Sequence, residues 1–224
     1  MKTTRVGGLS VAPNDTPTPF TVLVVCTGNI CRSPLAEQLL RARLGELGVS
    51  VKVHSAGSRA MAGDAMTPEA AHVSRRYGGA GDGHVARQLT ASLISEADLV
   101  LTATREHRSA VAALYPRAVR YSFTLTQLAR LVAPMVSSQQ VSGGSAADGE
   151  SGRPDPAGTA RILRALVAEV AATRGFSPPP QRPADDDIDD PYRRAMGVYD
   201  SVGLIVNRAV TTISGAFGSA AQLI

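Results

Sequence analysis

Tryptophan is absent from this chain, and phenylalanine and tyrosine bring the aromatic content to only 4%, too little for the stacking platforms on which single-stranded nucleic acids lie. Basic residues exceed acidic ones, 23 to 19, a balance that could suit nucleic acid. No run of about five Lys or Arg with interleaved aromatics exists, however, so nucleic acid is set aside as a partner. Two cysteines cannot build a secreted disulfide framework, and no clustered His/Cys spacing suggests a metal; neither metal nor cofactor is expected. No run of about 18 apolar residues occurs, which excludes a helical membrane span. Lys2 and Arg5 are followed by no apolar stretch, so the start does not read as a signal peptide. Residues 1–19, rich in Thr, Pro and Gly, read as a disordered leader, and a cytoplasmic location with reduced cysteines is expected. The hydrophobic share of 44% is ample for the core of one domain.

Against these absences stands the stretch Val24-Val25-Cys26-Thr27-Gly28-Asn29-Ile30-Cys31-Arg32-Ser33-Pro34. Phe20 to Val25 is apolar and β-branched, as a buried strand should be. Pro34 suits a first helical position, and Ala36, Leu39, Leu40, Leu44 and Leu47 recur at helical spacing up to Gly48. Strand, tight loop and helix follow one another, and such a loop turns several backbone N–H groups inward as an anion cradle. Gly28 permits close backbone approach, and Asn29 tolerates the left-handed conformation. A cysteine there is favoured as the thiolate, and Arg32 closes the loop with a planar fork that fits two phosphate oxygens. The chemistry that follows is attack of Cys26 on phosphorus through a cysteinyl-phosphate.

The segment from Cys26 to Pro34 resembles the signature of the low-molecular-weight protein tyrosine phosphatases. The resemblance implies a cysteine-based phosphatase acting on phosphotyrosine proteins. By the same resemblance Thr27, Gly28, Asn29, Ile30, Cys31 and Ser33 bind or support the phosphate, and the Ser33 hydroxyl meets the thiolate. The family carries its general acid in a C-terminal Asp-Pro-Tyr motif, matched here by Asp190-Pro191-Tyr192, with Asp190 as acid and then base and Tyr192 beside the substrate ring. Asp189 is the alternative acid, and Asp185 to Asp187 read as a solvated loop. Ser55, in Val53 to Ser58, is similar to a serine bracing the loop from below. His84, in His84-Val85-Ala86-Arg87, is similar to a histidine that hydrogen-bonds the loop asparagine. His54, His72 and His107 have no such context and read as structural or solvent-facing. Cys31 is read either as a redox partner of Cys26, as the family implies, or as a small residue packed behind the loop.

Strand-like segments at Thr21 to Val25, Val51 to His54, Asp98 to Ala103 and Ala118 to Phe123 alternate with helix-like ones at Pro34 to Leu47, Thr67 to Tyr77, Thr90 to Glu96, Thr104 to Leu114 and Leu125 to Val132. That alternation predicts an α/β fold with a parallel sheet and the loop at a strand's C-terminal end. The resemblance implies a three-layer sandwich with a four-stranded sheet in order 2-1-3-4. One phosphatase domain is expected over 20–215, with a flexible insertion at about 135–156, an extra helix at about 159–174 and a tail over 216–224. The extra helix either lines the active site, binds a partner or is an outer addition.

Two related chemistries use such a loop. Arsenate reduction of the thioredoxin-coupled type needs cysteines after Cys31, and there are none. Protein-arginine phosphatases resemble this loop but carry Thr where Ile30 stands. Met61 lies where the family often has an aromatic pocket wall, which weakens the case for a phenyl ring. The resemblance also points to a bacterial tyrosine autokinase of polysaccharide export as a partner. A monomer or weak dimer is expected.

Overall fold

The computed structural model describes residues 18–139 and 155–222. Most of the expected leader, and the expected flexible insertion from 140 to 154, lie outside the described residues. The first strand, Phe20–Cys26 (β1), is buried throughout and leads through the loop into helix Arg32–Glu46 (α1). The helix begins two residues before Pro34. A proline in the first turn is harmless there, because its missing N–H would have had no intrahelical partner. Strand Val51–Gly57 (β2) and helix Pro68–Arg76 (α2) follow; the Thr67 hydroxyl caps α2 by accepting from the Ala70 amide at 3.3 Å. Helix Ala91–Ser95 (α3), strand Leu99–Thr102 (β3) and helix Arg105–Leu114 (α4) come next, α3 and α4 capped by Thr90 and Thr104.

The strand expected over Ala118 to Phe123 is shorter. Pro116–Arg120 forms a 3-10 turn, and only Ser122–Thr124 (β4) joins the sheet. Pro116 offers no donor to a ladder, and the Ala118 amide closes a turn on Tyr115 instead. The four strands are parallel in the order β2-β1-β3-β4, with Cys26 opposite Gly57.

Helix Leu125–Gln139 (α5) continues past Val132 and through Pro134 into the expected flexible segment. Its partner is the last helix, Met196–Ala221 (α7), whose Gly215 faces Val136. The tail expected from 216 is a further correction. Ala216 and Phe217 are buried, and the Phe217 ring meets Phe20 edge-on at 5.8 Å between centroids.

The extra helix runs over Pro156–Thr173 (α6), earlier than the expected 159. Asp155 accepts from the amides of Ala157 and Gly158, and Pro156 takes the first helical position, so the cap lies upstream of Thr159. Arg164 pairs with Asp98 just before β3, and Arg174 donates to the Ser122 carbonyl at the start of β4 and stacks on Phe123. With Phe20 in the same cluster as Leu163 and Val167, α6 covers the amino ends of the strands. The cradle sits at the opposite end, so α6 does not line it.

Alternation along β1 divides the core. Val22 and Val24 pack with α1, α5, α6 and α7, while Leu23 and Val25 pack with Ile94, Val111 and Ala118 on the other face. Both layers fix β1 at the centre, and its last residue is Cys26.

Candidate active site

The loop after β1 is turned inside out by its surroundings. The carbonyls of Cys26, Thr27, Gly28 and Ile30 accept from the amides of Ser58, Arg59, Met61 and Thr67 at 2.9–3.0 Å. The carbonyl of Asn29 meets His84 Nε2 at 2.6 Å. In a trans peptide the C=O and the following N–H point opposite ways, so outward carbonyls aim the amides of residues 27–31 inward. Gly57 makes this possible, because a Cβ there would stand 2.4 Å from the Thr27 carbonyl oxygen.

Asn29 holds the loop from within. It is fully buried with φ +58°, a left-handed conformation that costs a side chain about 1–2 kcal/mol. Its Nδ2 donates to Ser33 Oγ at 2.9 Å and to Ser55 Oγ at 2.8 Å, and its Oδ1 accepts from the Arg87 amide at 2.9 Å. The amide fixes the direction of both hydroxyls. Ser55, accepting from Asn29, gives its hydrogen to Glu37 Oε2 at 2.5 Å. Ser33, likewise accepting, has its hydrogen free for Cys26 Sγ at 2.9 Å. A hydrogen bond given to sulfur stabilises its anion.

Glu37 is a residue that sequence reasoning missed. Its buried carboxylate also meets Arg41 and lies 3.8 Å from His84 Nδ1, so both braces of Asn29 end on it. Its position one helical turn after Ser33, facing inward, was the available signal. Behind it a polar cavity of about 270 Å³ opens among Glu37, Arg41, His54, His84 and Arg87.

A smaller cavity of about 150 Å³ gathers the expected chemistry. Cys26, Thr27, Gly28, Ile30, Cys31, Arg32, Asp190 and Tyr192 line it, together with Arg59 and Met61. Arg32 is 5% exposed; its Nη1 donates to the Ile188 carbonyl at 3.0 Å, and its Nη2 pairs with Asp190 Oδ2 at 2.7 Å. Its Nε is buried without a partner among the described residues, a donor that a bound oxyanion would satisfy. Asp190 is half exposed and also accepts from the Tyr192 amide at 3.2 Å.

The acidic run before it is not the solvated loop expected from sequence. Asp185 pairs with Arg182; Asp186 is buried against Arg130; Asp187 is gripped by Arg105. Each finds an arginine, two of them distant in the chain, so the run is a moored segment. Asp189 is exposed.

His107 was also underrated. It is 6% exposed, with Nε2 2.9 Å from Thr27 Oγ1 and Nδ1 2.6 Å from Thr104 Oγ1. Burial, with Arg32 nearby, pushes its pKa down to about 4, so the ring is neutral at pH 7. Cys31 turns its thiol toward Thr67 Oγ1 (3.6 Å) and Tyr199 OH (3.8 Å), and burial pushes its pKa up to about 11. Both cysteines are free thiols. Among the described residues no His/Cys/Asp/Glu group could hold a metal, and no helix is long and apolar enough to cross a membrane.

Comparison with known proteins bears on family and fold. The family described as low molecular weight phosphotyrosine protein phosphatase matches residues 21–131. The probable low molecular weight protein-tyrosine-phosphatase EpsP of Ralstonia nicotianae is 40% identical over 108 residues, 48% of this chain and 72% of that protein. Etp of Escherichia coli K12, a low molecular weight protein-tyrosine-phosphatase, is 44% identical over 95 residues, 42% of this chain; the match spans 62% of Etp. Among solved structures, the tyrosine phosphatase AmsI of Erwinia amylovora superposes with a TM-score of 0.57 at 23% identity, over 89% of this chain and 93% of that one. The YwlE arginine phosphatase of Geobacillus stearothermophilus gives 0.57 at 25% identity, over 88% and 91%. The family match stops before Asp190.

Proposed function

The chain belongs to the low molecular weight phosphotyrosine protein phosphatase family, and from that membership we propose that it hydrolyses phosphotyrosine on proteins through a cysteinyl-phosphate. The observation that carries the reading is the meeting of a thiol, a buried guanidinium and a carboxylate on one small cavity floored by inward amides.

The steps follow from the contacts. The phosphate oxygens enter the amide cradle and take up the Arg32 fork, including Nε. Cys26 Sγ forms a bond to phosphorus as the P–O bond to the phenol breaks. Asp190, released from Arg32 and having taken up a proton from solvent, gives that proton to the departing oxygen. In the second step the Asp190 carboxylate takes a proton from water, which attacks phosphorus and expels the thiolate onto the Ser33 hydroxyl. The transition state carries its charge on the equatorial oxygens, where the amides and Arg32 already stand. Ile30 and Tyr192 supply walls for a phenyl ring, and Met61 stands in place of a further aromatic. Phosphotyrosine proteins are the substrates inferred; the family resemblance adds a tyrosine autokinase of polysaccharide export.

The test is steady-state turnover of phosphotyrosine, phosphoarginine and arsenate by the wild type and Cys26→Ser. Phosphotyrosine should be the preferred substrate, and Cys26→Ser should retain less than about 1% of turnover while still binding vanadate. A preference for phosphoarginine, or an active Ser variant, would overturn the reading.

A further inference from the structure

Asp190 has a positional problem. Among the described residues its carboxylate meets only Arg32 and the amide of Tyr192. Once a phosphate occupies the Arg32 fork, the ion pair is given up, and Asp190 must be held over the leaving group by the chain that precedes it.

That chain is fixed at three consecutive residues. Asp186 pairs with Arg130 of α5 at 3.1 Å, and its carbonyl accepts from Thr126 Oγ1 at 2.9 Å. The Ile188 amide donates to the Ala103 carbonyl at 2.9 Å. Between them, Asp187 Oδ1 accepts from the Arg105 backbone amide at 2.7 Å, and Oδ2 from Arg105 Nη2 at 2.8 Å, with Nε at 3.1–3.2 Å from both oxygens. An isolated surface ion pair adds little. This one is bidentate, adds a backbone donor and sits at the start of α4, where the helix dipole favours an anion. The same first turn of α4 carries His107, whose ring meets Thr27 beside the nucleophile. The acid segment and the nucleophile loop are thus registered on one helix end.

Resting on the phosphatase reading above, we propose that Asp187 and Arg105 are positioning residues for proton transfer, setting where Asp190 stands relative to Cys26. Neither touches the reacting atoms. Their loss should matter in proportion to how much the leaving group needs a proton.

The experiment compares kcat/KM on phenyl phosphate and on 2,4-dinitrophenyl phosphate for the wild type, Asp190→Asn, Asp187→Ala, Arg105→Ala and Arg105→Lys. A displacement of the acid by about 1 Å can cost up to about a hundredfold, so the phenyl-to-dinitrophenyl ratio should fall about tenfold in Asp187→Ala and Arg105→Ala. Arg105→Lys should recover part of that ratio. Asp187→Ala combined with Asp190→Asn should be no worse than Asp190→Asn alone, since the positioned group is already gone. A purely structural effect would lower both substrates equally and leave the ratio intact. A wild type that hydrolyses neither ester removes the phosphatase reading and this proposal with it. An active wild type with a normal ratio in both alanine variants, or additive losses in the double variant, refutes the clamp alone.

Discussion

Replacing Asn29 with alanine separates what the loop owes to hydrogen bonds from what it owes to backbone conformation. The substitution leaves the Arg87 amide, now bonded to Oδ1, without its acceptor; an orphaned buried donor costs about 1–3 kcal/mol. Ser55 keeps Glu37 as an acceptor and Ser33 keeps Cys26, so each hydroxyl loses one incoming bond, worth about 0.5–1 kcal/mol. The left-handed conformation penalises alanine by a further ~1 kcal/mol. The sum is about 3–6 kcal/mol, which in a chain of this size lowers Tm by on the order of 10–15 °C. Turnover should fall as well, because nothing then obliges Ser33 to direct its hydrogen at Cys26. Asn29→Gly is the control. Glycine removes the conformational penalty but loses about 0.5–1 kcal/mol to unfolded-state entropy, so it should lie within about 1 kcal/mol of alanine and rescue neither Tm nor kcat. The measurements are thermal unfolding by circular dichroism and kcat on an aryl phosphate. A Gly variant within about 2 °C and twofold of wild type would show that backbone freedom at position 29, not the side-chain bonds, is what the loop requires.

Three further outcomes are expected. Arg32→Lys should be nearly as damaging as Arg32→Ala, each losing about a hundredfold or more in kcat/KM, since a point charge cannot replace a buried fork; a Lys variant near wild type contradicts the assignment. Leu163→Ala on α6 empties a fully buried position and should cost about 2–5 kcal/mol in urea unfolding with kcat unchanged below the transition. His107 has a folded pKa near 4 against 6.5 in the open chain, so between those values the unfolded state binds more protons: its contribution is complete above pH 6.5 and shrinks as pH falls toward 4. Urea midpoints at pH 7 and pH 5 should therefore differ less in His107→Gln than in wild type.

The Cys26 loop was legible because the chemistry proposed for it demands particular side chains at fixed spacing, between a buried strand and a periodic helix. What holds the loop was less so. The donors from Ser58, Arg59, Met61 and Thr67 are backbone amides, which any sequence supplies, and only Gly57 marks the close approach. The acidic run misled for a related reason. Asp186 and Asp187 meet Arg130 and Arg105, which lie 56 and 82 residues away, and an ion pair across such a separation leaves no local pattern. A tail was expected from 216, where α7 in fact runs on to Ala221. The glycines there, Gly215 and Gly218, lie against Val136 and Leu47, distant positions that leave no local pattern. For His107 and Glu37 the telling partners, Thr27 and Ser55, stand on other elements, so the nearby Thr104 and Arg41 did not disclose the role.

The placement of α6 at the amino ends of the strands has a consequence for how such a chain can change over time. The α6 contacts and the Cys26 cavity stand at opposite ends of one sheet, joined through a single cluster of packed side chains that runs from Leu163 and Val167 to Ile30 and Cys31. Leu163 and Val167 are not among the side chains that line the cavity, so substitutions around them act first on how hardy or fragile the molecule is. Selection therefore meets two traits in a single chain, linked by one continuous core rather than by shared residues.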